Sequence, residues 1–117
     1  MKQMKLALLL PFIFLVINGS ALAQDNGPQQ VKIKTSSVCD MCKKTIEKAM
    51  AYEKGVESAV LDVPSQMLTV TFNSGKTSPE KIKKAVTKTG YDADEVPADT
   101  RAYNKLDDCC KKDKGVH

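Results

Sequence analysis

The sequence predicts an α+β sandwich in which two helices cover one face of a four-stranded antiparallel sheet, in the order β-α-β-β-α-β. Three observations carry that prediction. Four short segments between residues 31 and 96 have apolar residues at strand period or in β-branched clusters. Two segments between them space their apolar residues as one face of a helix. The unit occupies about 65 residues, and right-handed crossovers in that order place both helices on one side of the sheet.

The elements follow in turn. Val31-Lys-Ile-Lys-Thr35 alternates apolar and polar residues, as a half-buried strand does. Asp40 to Lys54 carries Cys42, Ile46, Ala49 and Met50 on one helical stripe, with Lys43, Lys44, Glu47 and Lys48 elsewhere, and Gly55 suits the C-terminal cap. Val56 to Val63 is β-branched and apolar, and Pro64-Ser65 is a turn signal. Gln66 to Phe72 alternates again, with Leu68, Val70 and Phe72 on one face, and Asn73-Ser74-Gly75 reads as a loop. Thr77-Ser78-Pro79-Glu80 opens the second helix with a capping hydroxyl and a proline at the first helical position. Ile82, Ala85 and Val86 form its buried stripe, Lys81, Lys83, Lys84 and Lys88 its solvated side, and Gly90 ends it. Tyr91 to Val96 is the expected last strand. Beyond Pro97 the periodicity fades. Ala98 to Leu106 has room for a short helix, and Asp107 to His117 (DDCCKKDKGVH) is charged and expected to be mobile.

The N-terminal residues 1–23 have the layout of a cleaved secretory signal peptide. Lys2 and Lys5 precede an apolar run from Leu6 to Ile17, and Ala21-Leu22-Ala23 supplies the small residues of a cleavage site. Twelve residues span about 18 Å as a helix, short of the hydrocarbon core of about 30 Å. Residues 24–30 (QDNGPQQ) are a polar, flexible lead-in, 31–96 the folded domain, and 97–117 a cysteine-containing C-terminal tail. The expected location is outside the inner membrane, in the periplasm, where disulfides are permitted. The mature protein is not expected to be embedded in a membrane.

Composition narrows the function. Cleavage after Ala23 removes two of the 18 basic residues and none of the 14 acidic ones, so the net charge falls from +4 to +2. Aromatic content is 5% with no Trp, which argues against stacking on nucleic-acid bases. One His, and no nucleophile paired with a base, argue against an enzyme. Four cysteines are the chemical excess: Cys39 and Cys42, and the adjacent Cys109 and Cys110.

Cys39-Asp40-Met41-Cys42 falls where the first strand hands over to the first helix. Free N–H groups at a helix N-terminus favour thiolate, so one or both cysteines should have a lowered pKa. Two intervening residues allow both sulfurs to converge on one point. Three chemistries fit such a pair: a structural disulfide, a thiol-disulfide redox centre, and a soft-metal site. Two thiolates suit Cu(I) or Hg(II), whereas Zn(II) usually takes four ligands. The redox reading lacks an aromatic neighbour or a Gly-Pro between the cysteines.

Residues 31 to 96 resemble the heavy-metal-associated domain family. The resemblance rests on Cys39 and Cys42 after the first strand, on Thr77-Ser78-Pro79-Glu80, and on Gly90-Tyr91 before the last strand. It implies a ferredoxin-like fold, metal binding by Cys39 and Cys42, and Tyr91 lying near the site behind the ligands. It implies a metal chaperone or scavenger, with a metal-transporting membrane protein bearing a similar domain as transfer partner. Cu(I) or Hg(II) is the expected cargo, with Zn(II) as a further option. The alternative function is a periplasmic thiol-disulfide module using the same pair. No nucleic-acid partner is expected, and the protein is expected to be a monomer or a metal-bridged dimer.

The sequence departs from the family at its motif, which usually reads Gly-Met-x-Cys-x-x-Cys. Here Ser36-Ser37-Val38 precede Cys39, and Ser37 lacks the volume of the family's core Met. Asp40 places a carboxylate between the thiolates and works against a lowered pKa. Met41 is a candidate thioether ligand but more often such a residue is packing.

The tail offers Cys109 and Cys110 as further candidate metal ligands. A disulfide between adjacent cysteines closes a strained ring, so separate roles are expected. About 12 residues separate Val96 from Cys109, an extended reach of up to about 40 Å. The tail can therefore fold back and give a third or fourth thiolate to the Cys39/Cys42 metal, with His117 as an added nitrogen. It can also form a separate capture site, or stay solvated while its cysteines oxidise.

Overall fold

The computed structural model describes residues 27–117. The signal peptide expected at 1–23 and the start of the lead-in lie outside the described residues. The elements are β1 (Pro28–Lys34), α1 (Asp40–Tyr52), β2 (Val56–Asp62), β3 (Met67–Asn73), α2 (Pro79–Thr87) and α3 (Thr100–Asn104). Two single-turn 3₁₀ segments follow at Asp108–Cys110 and Lys112–Lys114.

β3 is central in an antiparallel sheet of order β1-β3-β2. The registers Val31↔Val70 and Ile33↔Leu68 on one side, and Ala59↔Val70 and Leu61↔Leu68 on the other, put the apolar alternation of all three strands on one face. Ile33, Leu61, Leu68, Val70 and Phe72 on that face are buried, together with Ile46 and Met50 of α1 and Ile82 and Val86 of α2. Every apolar position that the helical spacing puts on a stripe is thus used. β1 begins three residues before the expected Val31. Gln29 and Gln30 pair with Phe72 and Thr71, and an edge strand facing water accepts polar residues there.

The helix ends follow local chemistry. Ser78 Oγ accepts the Lys81 N–H (3.3 Å), with Pro79 at the first helical position of α2. α1 has extended Cys39 at its N-cap, with no side-chain cap. Its C-terminal exit passes through Gly55 at φ +86°, where a Cβ would meet Thr77 Cγ2 at 2.8 Å, so only glycine fits. Lys43 and Glu47 fix α1 against β2. Glu47 Oε2 accepts both Lys43 Nζ (2.6 Å) and the Leu61 N–H (2.7 Å), while Lys43 Nζ also donates to Leu61 O (2.8 Å).

The expected fourth strand, Tyr91 to Val96, is absent, and among the described residues the sheet has three strands. One antiparallel bridge, Thr35↔Ala93, extends the line of β1. Asp94 then turns the chain at φ +52°, and Val96 returns to pair with Ala93. The Asp94 N–H reaches Lys34 O (2.8 Å), but the Lys34 N–H is taken by the Asp94 carboxylate (2.8 Å) rather than by a backbone carbonyl. Pro97 has no N–H to offer a ladder. The segment therefore closes on itself after one rung.

The charged C-terminal run, expected to be mobile, is instead seated on the body. Asp99 caps α3 through the Ala102 N–H (2.9 Å), and its own N–H bonds Thr87 O (3.0 Å). Leu106 packs against the core, and Cys110 is buried in it. Gly90, at φ +106°, lies under this turn. A Cβ there would meet Ala102 O at 3.0 Å and Leu106 Cδ2 at 3.1 Å. Among the described residues no helix is long and apolar enough to cross a membrane.

Candidate metal site

The loop before α1 is held without the apolar side chain that Ser37 replaces. Ser37 is fully buried, and its hydroxyl lies 2.9 Å from Thr35 Oγ1, which also donates to Gln66 O (3.0 Å). Gln66 Nε2 returns a hydrogen bond to Ser37 O (2.7 Å). Ser36 Oγ accepts the Asp92 N–H (2.9 Å), and Val38 is buried. Hydrogen bonds from three directions thus do what volume alone would do at this position.

This loop delivers Cys39 as the N-cap of α1 and Cys42 within its first turn. Their Sγ atoms are 3.5 Å apart and both thiols are free. The 3₁₀ turn at Asp108–Cys110 brings a third sulfur to them. Cys39, Cys42 and Cys110 are all buried, and their Sγ atoms lie within 4.8 Å of one another. The structure therefore brings together three of the four candidate cysteines.

Cys109 is the exception. It is exposed, with Sγ 3.8 Å from Met41 Sδ and 3.9 Å from Cys110 Sγ. Cys109 and Cys110 are not bonded to each other, as ring strain predicts. Met41 is about half exposed, so the packing role expected for it does not hold. His117 is exposed. Its Nδ1 sits 2.8 Å from Gly115 O, while its backbone N–H donates to Val38 O at 2.7 Å. Its ring is not among the clustered donors, but its backbone ties the chain end to the CxxC loop. Asp40 and Lys88 are both exposed.

Tyr91 is fully buried and hydrogen-bonded to Cys42 and Cys110. Burial pushes the Cys42 thiol up. The hydrogen bond from Tyr91, backbone hydrogen bonds from Val38 and Cys39, and the Cys39 side chain outweigh it, and the net shift is downward. That agrees with the thiolate expected at a helix N-terminus. The Cys110 thiol is pushed up, first by burial and then by its hydrogen bond and charge interaction with Cys42. Tyr91 is raised for the same reasons. Binding of a cation by such thiols displaces their protons.

Clustered free thiols at the first strand-to-helix junction of an α+β domain have the donor chemistry that suits a thiophilic metal. The model of the heavy-metal-associated domain matches residues 37–92. The chain is 35% identical over 54 residues to the copper chaperone CopZ of Staphylococcus haemolyticus (strain JCSC1435), covering 46% of this chain and 79% of that protein. The chain belongs to the heavy-metal-associated domain family. Among solved structures it resembles oxidized MerP from Ralstonia metallidurans CH34, with a TM-score of 0.55 and 29% identity over 57% of this chain and 94% of that one. It also resembles the mercury-bound form of MerP, the periplasmic protein of the bacterial mercury detoxification system, with a TM-score of 0.52 and 28% identity over 58% and 96%. The family match ends at residue 92, so Cys109 and Cys110 lie beyond it. Sequence reasoning reached Cys110 as one of two equal candidates.

Proposed function

We propose that this protein binds a soft heavy-metal ion, Cu(I) or Hg(II), through Cys39 and Cys42 and acts as a carrier or scavenger outside the cytoplasm. The observation that carries the reading is the pair of free sulfurs 3.5 Å apart at the N-terminus of α1. Copper and mercury named for the relatives support the choice of cargo. Thiolate sulfur prefers such ions to hard cations, and it also accepts Zn(II) where more ligands are supplied. The extracytoplasmic placement rests on the composition of residues 1–23. The role is binding and handover to a membrane transporter with a similar domain, not catalysis. Tyr91 contributes by holding Cys42 rather than by touching metal.

Native mass spectrometry of the reduced protein with Cu(I), Hg(II) or Zn(II) against a competing chelator tests this reading. One Cu(I) or Hg(II) per chain, retained against the chelator and lost in C39S/C42S, is the expected outcome. Failure of the reduced protein to hold either ion would sink it. The 3.5 Å gap also favours one second reading, a thiol-disulfide module, because closure to a disulfide of about 2.05 Å needs little movement. That reading requires disulfide reductase activity that C39S abolishes.

A further inference from the structure

We propose that Cys110 is the third thiolate of a trigonal metal site, supplied by the C-terminal segment to the Cys39/Cys42 pair. The inference rests on the metal-binding reading above and adds a ligand from outside the residues that the family model matches.

Geometry is the first argument. At a metal–sulfur bond of about 2.3 Å, two sulfurs bound in a line lie about 4.6 Å apart, and three in a trigonal plane lie about 4 Å apart. Cys39 and Cys42 Sγ are 3.5 Å apart, far short of the linear separation. All three sulfurs fall within 4.8 Å of one another, so modest rotations bring them to the trigonal spacing.

The second argument is that Cys110 is placed rather than merely nearby. Its turn is fastened on both sides. Leu106 packs into the core before it, Lys112 Nζ bonds Asp92 Oδ2 (3.0 Å) after it, and the His117 N–H bonds Val38 O (2.7 Å) beyond that. Its backbone carbonyl also lies 3.8 Å from Cys42 Sγ, and the Cys109 carbonyl 3.8 Å from Cys39 Sγ. The adjacent Cys109, one residue away in an equally charged run, faces Met41 at the surface instead. A solvated tail would not discriminate between the two.

Charge selects the cargo. Three thiolates with Cu(I) leave two net negative charges in a buried position, and with Hg(II) only one. The groups against the sulfurs include two backbone carbonyls, which add no positive charge. The third thiolate therefore shifts preference from Cu(I) toward Hg(II). It also fills the position that an incoming thiolate of a partner would take, so handover requires the C-terminal turn to lift.

X-ray absorption at the mercury edge on the reduced full-length protein, C110S and C109S, each with one equivalent of Hg(II), tests the proposal. The expected result is three sulfur neighbours in wild type and C109S, and two in C110S. C110S should also bind Hg(II) roughly tenfold or more weakly in chelator competition, since even groups that only orient metal ligands are worth about that factor. Serine is nearly isosteric, and an unchanged amide spectrum of the metal-free C110S protein certifies its fold. Two sulfurs in wild type, or three retained in C110S, would overturn the proposal while leaving metal binding by Cys39 and Cys42 standing. No Hg(II) bound by wild type would overturn the trigonal site, and failure to hold Cu(I) as well would overturn both.

Discussion

The body from β1 to α2 and the C-terminal segment after Pro97 are held by different physics. In the body, Ile33, Ile46, Met50, Leu68, Val70, Ile82 and Val86 have no exposed surface, and each strand and helix gives at least one buried apolar residue. The C-terminal segment buries Cys110 and part of Leu106, and is otherwise fastened by single polar contacts. Burial of apolar area is what makes a small domain stable, whereas isolated surface contacts each add little. The proposed metal site straddles the boundary. Two of its sulfurs sit at the start of α1 in the body, and the third sits on the C-terminal segment.

The largest test of this contrast is Ile46→Ala. Ile46 is fully buried on α1 in the core, and its truncation should lower stability by about 2–5 kcal/mol through lost transfer energy and a cavity. Chemical denaturation reads that directly. Leu106→Ala should behave differently. Leu106 is only partly buried, so its loss should weaken seating of the C-terminal turn by about 1–2 kcal/mol and leave the denaturation midpoint of the body nearly unmoved. Alkylation of the Cys110 thiol in the native state should then quicken by about tenfold, since about 1.4 kcal/mol is a factor of ten. If Leu106→Ala unfolds the body as far as Ile46→Ala does, the two regions are one cooperative unit and the contrast fails.

The same difference explains what was legible in the sequence. Patterns that report burial were read well. Asp40 and Pro79 start the helices where expected, and Leu68, Val70 and Phe72 share the inner face of β3. Tyr91, placed near the site by family resemblance, is found against Cys42. What failed was set by interactions that leave no periodic trace. The fourth strand ends after one bridge because the Asp94 side chain takes a ladder position and the backbone turns at φ +52°. Ser37, too small for the volume expected there, is accommodated by Thr35 and Gln66, which are 2 and 29 residues away in sequence. The C-terminal run looked solvated because its composition is charged. Its position rests on Leu106, the buried Cys110, an ion pair and a backbone hydrogen bond, which form no periodic pattern.

The smallest effect expected belongs to Asp92, which fastens the C-terminal segment at two points. Its Oδ1 accepts the Ala98 N–H (2.8 Å) and its Oδ2 the Lys112 ammonium (3.0 Å). Burial pushes this carboxyl up, but the Ala98 hydrogen bond and the Lys112 hydrogen bond and charge outweigh it, and it is held below the ordinary carboxylate value. A folded-state pKa lower than the unfolded one stabilises the seated form above the unfolded value of about 3.9, and that contribution fades as pH falls through the folded value. Asp92→Asn keeps an acceptor for Ala98 and removes the charge opposite Lys112. About half of the Lys112 side chain is exposed, so the loss should be no more than about 0.5 kcal/mol. Hydrogen exchange at the Cys110 amide, which bonds Asp107 O at 2.8 Å, reads the seating directly. At neutral pH exchange should be about twofold faster in Asp92→Asn than in wild type, corrected for intrinsic rates. The two should converge as wild-type Asp92 protonates in acid. Equal exchange at neutral pH would show that Leu106 and the backbone bond to Val38 seat the segment without the ion pair, and would place its whole tether on the apolar side of the contrast.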